Sequence, residues 1–166
     1  MKKRIIIAVV AVVATVAATL ILTTGRVPVL AEGFGIMESE VEFRNVYPGW
    51  SGSAPLTIIC GQDRDRLFWV SAQAANERKL RDGYELFPVE HYSWIAIPRP
   101  QTGEWFEVEA GDHLRLTVTL TMPEWADYHG KETEVRIRVQ EVNLEGLVQL
   151  AVESRWYIIT AEEQSA

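Results

Sequence analysis

His113-Leu-Arg-Leu-Thr-Val-Thr-Leu-Thr-Met122 alternates without a break, with Leu114, Leu116, Val118, Leu120 and Met122 in one phase and Arg115, Thr117, Thr119 and Thr121 in the other. A period of two is that of an extended chain, whose successive side chains point to opposite faces, so this stretch predicts a strand with one dry and one wet face. On its C-terminal side the pattern returns twice. Residues 132–140 place Val135, Ile137 and Val139 inward and Glu134, Arg136 and Arg138 outward, and 146–160 carry Val148, Leu150, Val152, Trp156 and Ile158 in phase. On its N-terminal side shorter strands are predicted at 40–45, 56–60, 67–73 and 93–97. Turn chemistry separates them at Tyr47-Pro-Gly-Trp-Ser-Gly52, Gly61-Gln-Asp63, Pro98-Arg-Pro100, Ala110-Gly-Asp112 and between Met122-Pro123 and His129-Gly130. Residues 72–82 hold good helix formers before Gly83, but span only about two turns, so they read as a short crossover or an ordered loop. One-sided alternation is typical of antiparallel sheets. The chain is therefore predicted to be all-β, a single antiparallel β-sandwich of immunoglobulin type with about seven strands. A jelly roll or a small barrel is the competing architecture.

The 166 residues divide unevenly. Residues 1–31 contain Lys2, Lys3, Arg4 and Arg26 and no acid, while residues 32–166 carry 12 basic and 23 acidic groups and all 16 aromatics. After Met1-Lys-Lys-Arg4 comes an uncharged run, 5–22, interrupted only by Thr15 and Thr19. As a helix it would reach about 27 Å, close to the hydrocarbon thickness of a bilayer. Residues 1–31 are read as an apolar helix that is either a signal peptide cleaved after Ala31 or an uncleaved signal-anchor. Both place the remainder outside the cytoplasm, membrane-anchored or secreted. The expected organisation continues with a linker at 32–39, the sandwich at 40–160 and a tail at 161–166. An excess of 11 negative charges after residue 31 argues against nucleic acid and anionic lipid as partners. The single cysteine, Cys60, ends the apolar run 56–60 and reads as a small buried hydrophobe.

Several segments together carry a resemblance. Tyr92-Ser-Trp-Ile-Ala-Ile97, Trp105-Phe-Glu-Val-Glu-Ala-Gly111, the alternating 114–122 with Pro123, and Asp127-Tyr-His-Gly130 resemble the second half of bacterial extracytoplasmic Ig-like domains. The opening strand and turn, with Asn45 and Pro48-Gly49, resemble the start of the same group. Such modules occur in WxL-interacting surface proteins and attached to secreted glycosidases. The resemblance implies a fold, with Tyr128 in the position of a tyrosine corner, and it implies no activity.

Candidate chemistry is sparse. Gly49-Trp-Ser-Gly-Ser53 lacks nucleophile-elbow spacing, and His91, His113 and His129 fall in three separate segments, so no enzyme is expected. There is no His-x-x-x-His, no Cys-x-x-Cys and no phosphate-cradling glycine loop, so neither cofactor nor metal is expected. Asp63 and Asp65 offer two carboxylates where Ca²⁺ takes about six to eight oxygens, and Arg64 and Arg66 interleave with them. Tryptophan is the notable enrichment. Trp69, Trp94 and Trp156 lie inside apolar runs and read as core or sheet-face residues, whereas Trp50, Trp105 and Trp125 fall in or beside predicted turns. Exposed indoles stack on sugar rings or anchor protein partners, which makes Trp50, Trp105 and Trp125 the candidate ligand-binding residues; folding back to plug the sandwich ends is their alternative role. The function expected is a non-catalytic cell-surface Ig-like ectodomain, an interaction or structural module with a protein or glycan partner. A self-assembling fibre or surface-layer subunit and an accessory subunit of a membrane complex are the alternatives.

Overall fold

A computed structural model describes residues 21–22, 29–31, 33–101, 103–143 and 148–162. Its strands, in chain order, are β1 (Ile21–Leu22), β2 (Val29–Ala31), β3 (Phe34–Ile36), β4 (Glu40–Val46), β5 (Ser51–Cys60), β6 (Arg66–Ala74), β7 (Glu85–Leu86), β8 (Ile95–Ala96), β9 (Phe106–Val108), β10 (His113–Thr121), β11 (Glu132–Val142) and β12 (Val148–Thr160). One sheet runs β1-β4-β12-β11-β6-β9, with β7 pairing the start of β11, and the other runs β2-β3-β5-β10-β8. Their facing sides make an Ig-like sandwich. Leu116, Val118 and Leu120 of β10 meet Val135, Ile137 and Val139 of β11 across a core that also buries Phe43, Phe68, Leu56, Ile58 and Trp156. The alternation read in 113–122 and 132–140 is thus the alternation of the two inner faces.

The strand count exceeds the seven expected, because short strands at the sheet edges carry too few residues to show a period. Residues 32–39, expected as linker, hold β3, whose Phe34 and Ile36 are buried in the core. The strand expected at 93–97 is instead a 3-10 helix, Val89–Trp94, followed by the two-residue β8. Residues 72–82 continue β6 as far as Ala74 and then form a 3-10 turn at Glu77–Lys79, within the crossover or ordered loop expected there. The sheets are also not wholly antiparallel: β4 runs parallel to β12, and β7 parallel to β11. Of the segment read as an apolar N-terminal helix, Ile21–Leu22 pair with β4 and Val29–Ala31 with β3, and the rest lies outside the described residues. Among the described residues no helix is long and apolar enough to cross a membrane.

Two features set up the outer face of the larger sheet. The crossover at 75–87 folds back over part of it: Phe87 N–H donates to Glu134 O at 3.0 Å and Arg81 N–H to a Glu134 carboxylate oxygen at 3.2 Å. Glu134, outward by phase, is consequently buried, and its charge is met by Arg136 at 2.6 Å. Nearby Arg81 lies against the Tyr84 and Tyr157 rings, 5.3 and 5.2 Å from their centroids, and pairs with buried Glu42 at 3.3 Å. The second feature is the incomplete edge of β6, which β9 pairs only through Arg66–Phe68.

Candidate functional site: an aromatic cleft on the larger sheet

Trp69 stands on β6 between Phe68 and Val70, both turned into the core, so strand alternation sends its indole to the outer face, where it is 44% exposed. Phe106 of β9 pairs with Phe68, and this register brings the preceding residue, Trp105, alongside Trp69. The two indoles meet edge to face, with centroids 5.9 Å apart and planes at 71°, as the ring quadrupoles favour. They wall an open cleft of about 780 Å³. Its other sides are Ile97, the Pro98-Arg-Pro100 loop and Gln140, which faces Trp69 directly across the β6–β11 ladder. Arg99 and Glu104, both exposed, stand on the rim. Two prolines fix φ on either side of Arg99, which limits the conformational freedom of that loop.

The three candidate tryptophans do not share a site. Trp105 is half-buried in the cleft with Trp69. Trp50 plugs one end of the core: it meets Phe43 edge to face at 5.5 Å and lies so closely over Gly52 that a Cβ there would strike its ring. Its backbone is fixed as well, with Met122 N–H donating to its carbonyl at 2.9 Å. Trp125 lies on the neighbouring loop and is 79% exposed. Trp50→Ala is therefore expected to cost about 2 kcal/mol of lost apolar burial, while Trp125→Ala stays within about 0.5 kcal/mol of the parent. Thermal unfolding of the two variants side by side checks this, and equal losses would contradict it.

The other motifs are occupied with structure. Ser51 and Ser53 hydroxyls pair with Thr121 and Thr119 across the β5–β10 ladder at 2.9 and 2.7 Å. His91 stacks on Trp94 at 3.8 Å within a cluster that includes Phe87, Tyr92 and Tyr128. Tyr128 belongs to this cluster, and burial raises its pKa. Asp63 accepts from Arg66 at 2.6 Å, which holds its carboxyl below the usual range, and Asp65 accepts from Ala110 N–H at 2.8 Å. Among the described residues no three His, Cys, Asp or Glu side chains converge as metal ligands. Cys60 is buried, its thiol 3.4 Å from Arg64 O, and burial raises its pKa.

No protein-family model matches the sequence, and no curated protein does. Solved structures do match in fold. A PapD-like domain of human CEP192 superposes with a TM-score of 0.53 at 10% identity, over 82% of this chain and 92% of that one. A family 123 glycoside hydrolase from Clostridium perfringens gives 0.53 at 9% identity, over 75% of this chain and 23% of that one. A carbohydrate-binding-like protein from Bacteroides ovatus gives 0.52 at 14% identity, over 78% and 37%. The chain spans well under half the length of these last two. At such identities the likeness shows the fold alone, an Ig-like β-sandwich.

Proposed function

We propose that this chain is a non-catalytic binding module at the extracytoplasmic cell surface and that its ligand is a saccharide held in the Trp69–Trp105 cleft. The observation that carries the reading is the exposed edge-to-face indole pair on an open cleft with Gln140, Arg99 and Glu104 around it. Indole faces take the apolar C–H faces of sugar rings, and planar amide, guanidinium and carboxylate groups satisfy the hydroxyls at their edges. The fold of the Bacteroides ovatus carbohydrate-binding-like protein and the aromatic composition after residue 31 accord with this reading. The surface location follows from reading residues 1–31 as an anchor or export segment. Calorimetric titration with a panel of oligosaccharides tests the proposal. Trp69→Ala and Trp105→Ala are each expected to weaken a binder about tenfold, worth about 1.4 kcal/mol, with unfolding temperatures close to the parent. A binder whose affinity ignores both substitutions would overturn the assignment of the cleft.

A second reading, self-assembly by strand addition, has one observation in its favour. β8 pairs only with Thr119 and Leu120 of β10, which leaves 113–118 without a second strand partner among the described residues. Unpaired edges of this kind accept a further strand. Concentration-dependent growth in sedimentation velocity would support assembly over the monomeric module.

A further inference from the structure

The aromatic cleft is continued along the same sheet face by a second concavity of about 830 Å³, lined in part by Gln73, Lys79, Arg136, Arg138 and Arg155. The ladder places the two concavities in line. Trp69 pairs with Gln140, Ser71 with Arg138 and Gln73 with Arg136, so each step from cleft to groove is two residues along both strands. From the Trp69–Gln140 pair to the Gln73–Arg136 pair is about 13 Å at ordinary strand rise. Arg136 also stands directly opposite Arg155 on β12. Two like charges in a cross-strand pair repel one another, and they are an unfavourable choice where only sheet stability matters.

The charge of this groove runs against that of the protein. The chain as a whole is at −7, yet the groove is lined by Lys79, Arg136, Arg138 and Arg155 against Glu40 and Glu153, with Glu134 beneath Arg136. Arg138 donates to Gln73 at 3.1 Å, and its Nε lies 3.8 Å from Glu153, beyond hydrogen-bond reach; the buried Nε of Arg136 has no hydrogen-bond partner among the described residues, and its side chain is only 7% exposed. Lys79 comes from the 3-10 turn of the crossover, where its carbonyl meets Arg136 at 3.5 Å, and its exposed ammonium stands on the groove wall.

From this juxtaposition we infer that the ligand of the proposed saccharide site is acidic: an oligosaccharide carrying carboxylates, one ring against Trp69 and Trp105 and a following uronate carboxylate against Arg138, Lys79 and Arg155. The inference rests on the saccharide reading and adds the ligand's charge and direction along the sheet. A carboxylate set between two guanidinium groups and an ammonium receives charge-assisted hydrogen bonds, stronger than those a neutral hydroxymethyl group offers. The acidic remainder of the surface repels long polyanions, so a short or sparsely charged chain is favoured over nucleic acid.

The test titrates the full chain with galacturonate, mannuronate and hyaluronan oligosaccharides, each beside its carboxyl-reduced neutral counterpart. At least one acid form is expected to bind about tenfold more tightly than its reduced form, with the difference shrinking as salt is raised. Lys79→Gln and Arg138→Gln, each on a side chain that reaches solvent, are expected to bring the ratio of acid to neutral affinity, measured within each variant, close to one, with folding of each variant checked by its unfolding curve. Equal binding of acid and reduced forms, lost in Trp69→Ala, would overturn the acidic ligand and leave the saccharide cleft standing. Acid preference that survives both substitutions would overturn the groove. Absence of binding by every form would overturn the saccharide reading along with the inference.

Discussion

Replacing Glu141 with alanine is expected to destabilise the protein by about 3 kcal/mol, because it strands a buried guanidinium. Arg66 and Glu141 are each 3% exposed and meet at 2.5 Å at the end of the sandwich where β6, β11 and the turn before β3 converge. Asp63 takes a second Arg66 nitrogen at 2.6 Å but is itself in water, and Arg64 reaches Glu141 at 3.0 Å from outside. Among the described residues, Glu141 is thus the carboxylate that balances the buried charge from within. Gly33, with φ of +86°, lies so close over the Arg66 guanidinium that any side chain there would collide with it, so the pair also seats the turn into β3. Removing both charges is a different matter. Arg66→Met with Glu141→Leu is expected to recover most of the loss, since desolvating an ion pair offsets much of its attraction. Urea unfolding checks this: the midpoint should fall in Glu141→Ala at unchanged slope and return in the double variant. A single variant as stable as the parent would show that Asp63 alone satisfies Arg66.

This ion pair marks the limit of what alternation reveals. The strand predicted at 67–73 begins one residue after Arg66, and the one predicted at 132–140 stops one residue before Glu141. Both residues are in the inward phase of their strands. Arg66 is in register with Phe68 and Val70, and Glu141 continues the series of Val135, Ile137 and Val139. A charged residue at the end of an apolar phase reads as the end of the strand unless its partner is known, and the partner lies 75 residues away. Trp69 illustrates the converse. Its position between two inward residues implies exposure, but a tryptophan in an apolar run reads as a core or a sheet-face residue alike, and only the β6–β9 register shows that Trp105 joins it. Trp105 is legible from its turn; the Trp69 half of the cleft requires the pairing. Glu134, Arg136 and Arg138 are outward by phase, as the structure has them. That Glu134 is nonetheless dry depends on the crossover folding back at 75–87, a long-range event with no periodic signature. Likewise a period of two is the same in parallel and antiparallel strands, so the parallel pairing of β4 with β12 leaves no mark in the pattern.

Trp156→Ala is expected to bring the largest loss, about 3 to 5 kcal/mol, or a fall in unfolding temperature of at least about 6 °C for a chain of this size. The indole is 1% exposed and packs against Phe43 at 5.5 Å, so it connects β12 to β4 within the larger sheet and fills the core between the sheets. It also begins a polar chain: its Nε1–H donates to Ser154 Oγ at 2.9 Å, and Ser154 donates in turn to Glu38 O at 2.5 Å. Packing and hydrogen bonding are separable here. Trp156→Phe keeps most of the ring and withdraws only the first donor, and Ser154 remains bonded to Glu38. Its cost should be about 1 to 2 kcal/mol, near that of one hydrogen bond plus a small void. Ser154→Ala breaks the chain from the other side, leaving the buried indole N–H without an acceptor, and should cost a similar amount. If Trp156→Phe were as damaging as Trp156→Ala, the polar chain and not the filled volume would govern this end of the core. Additive losses in Trp156→Phe with Ser154→Ala would show that the two residues act independently, whereas the bond between them requires the double variant to lose less than the sum.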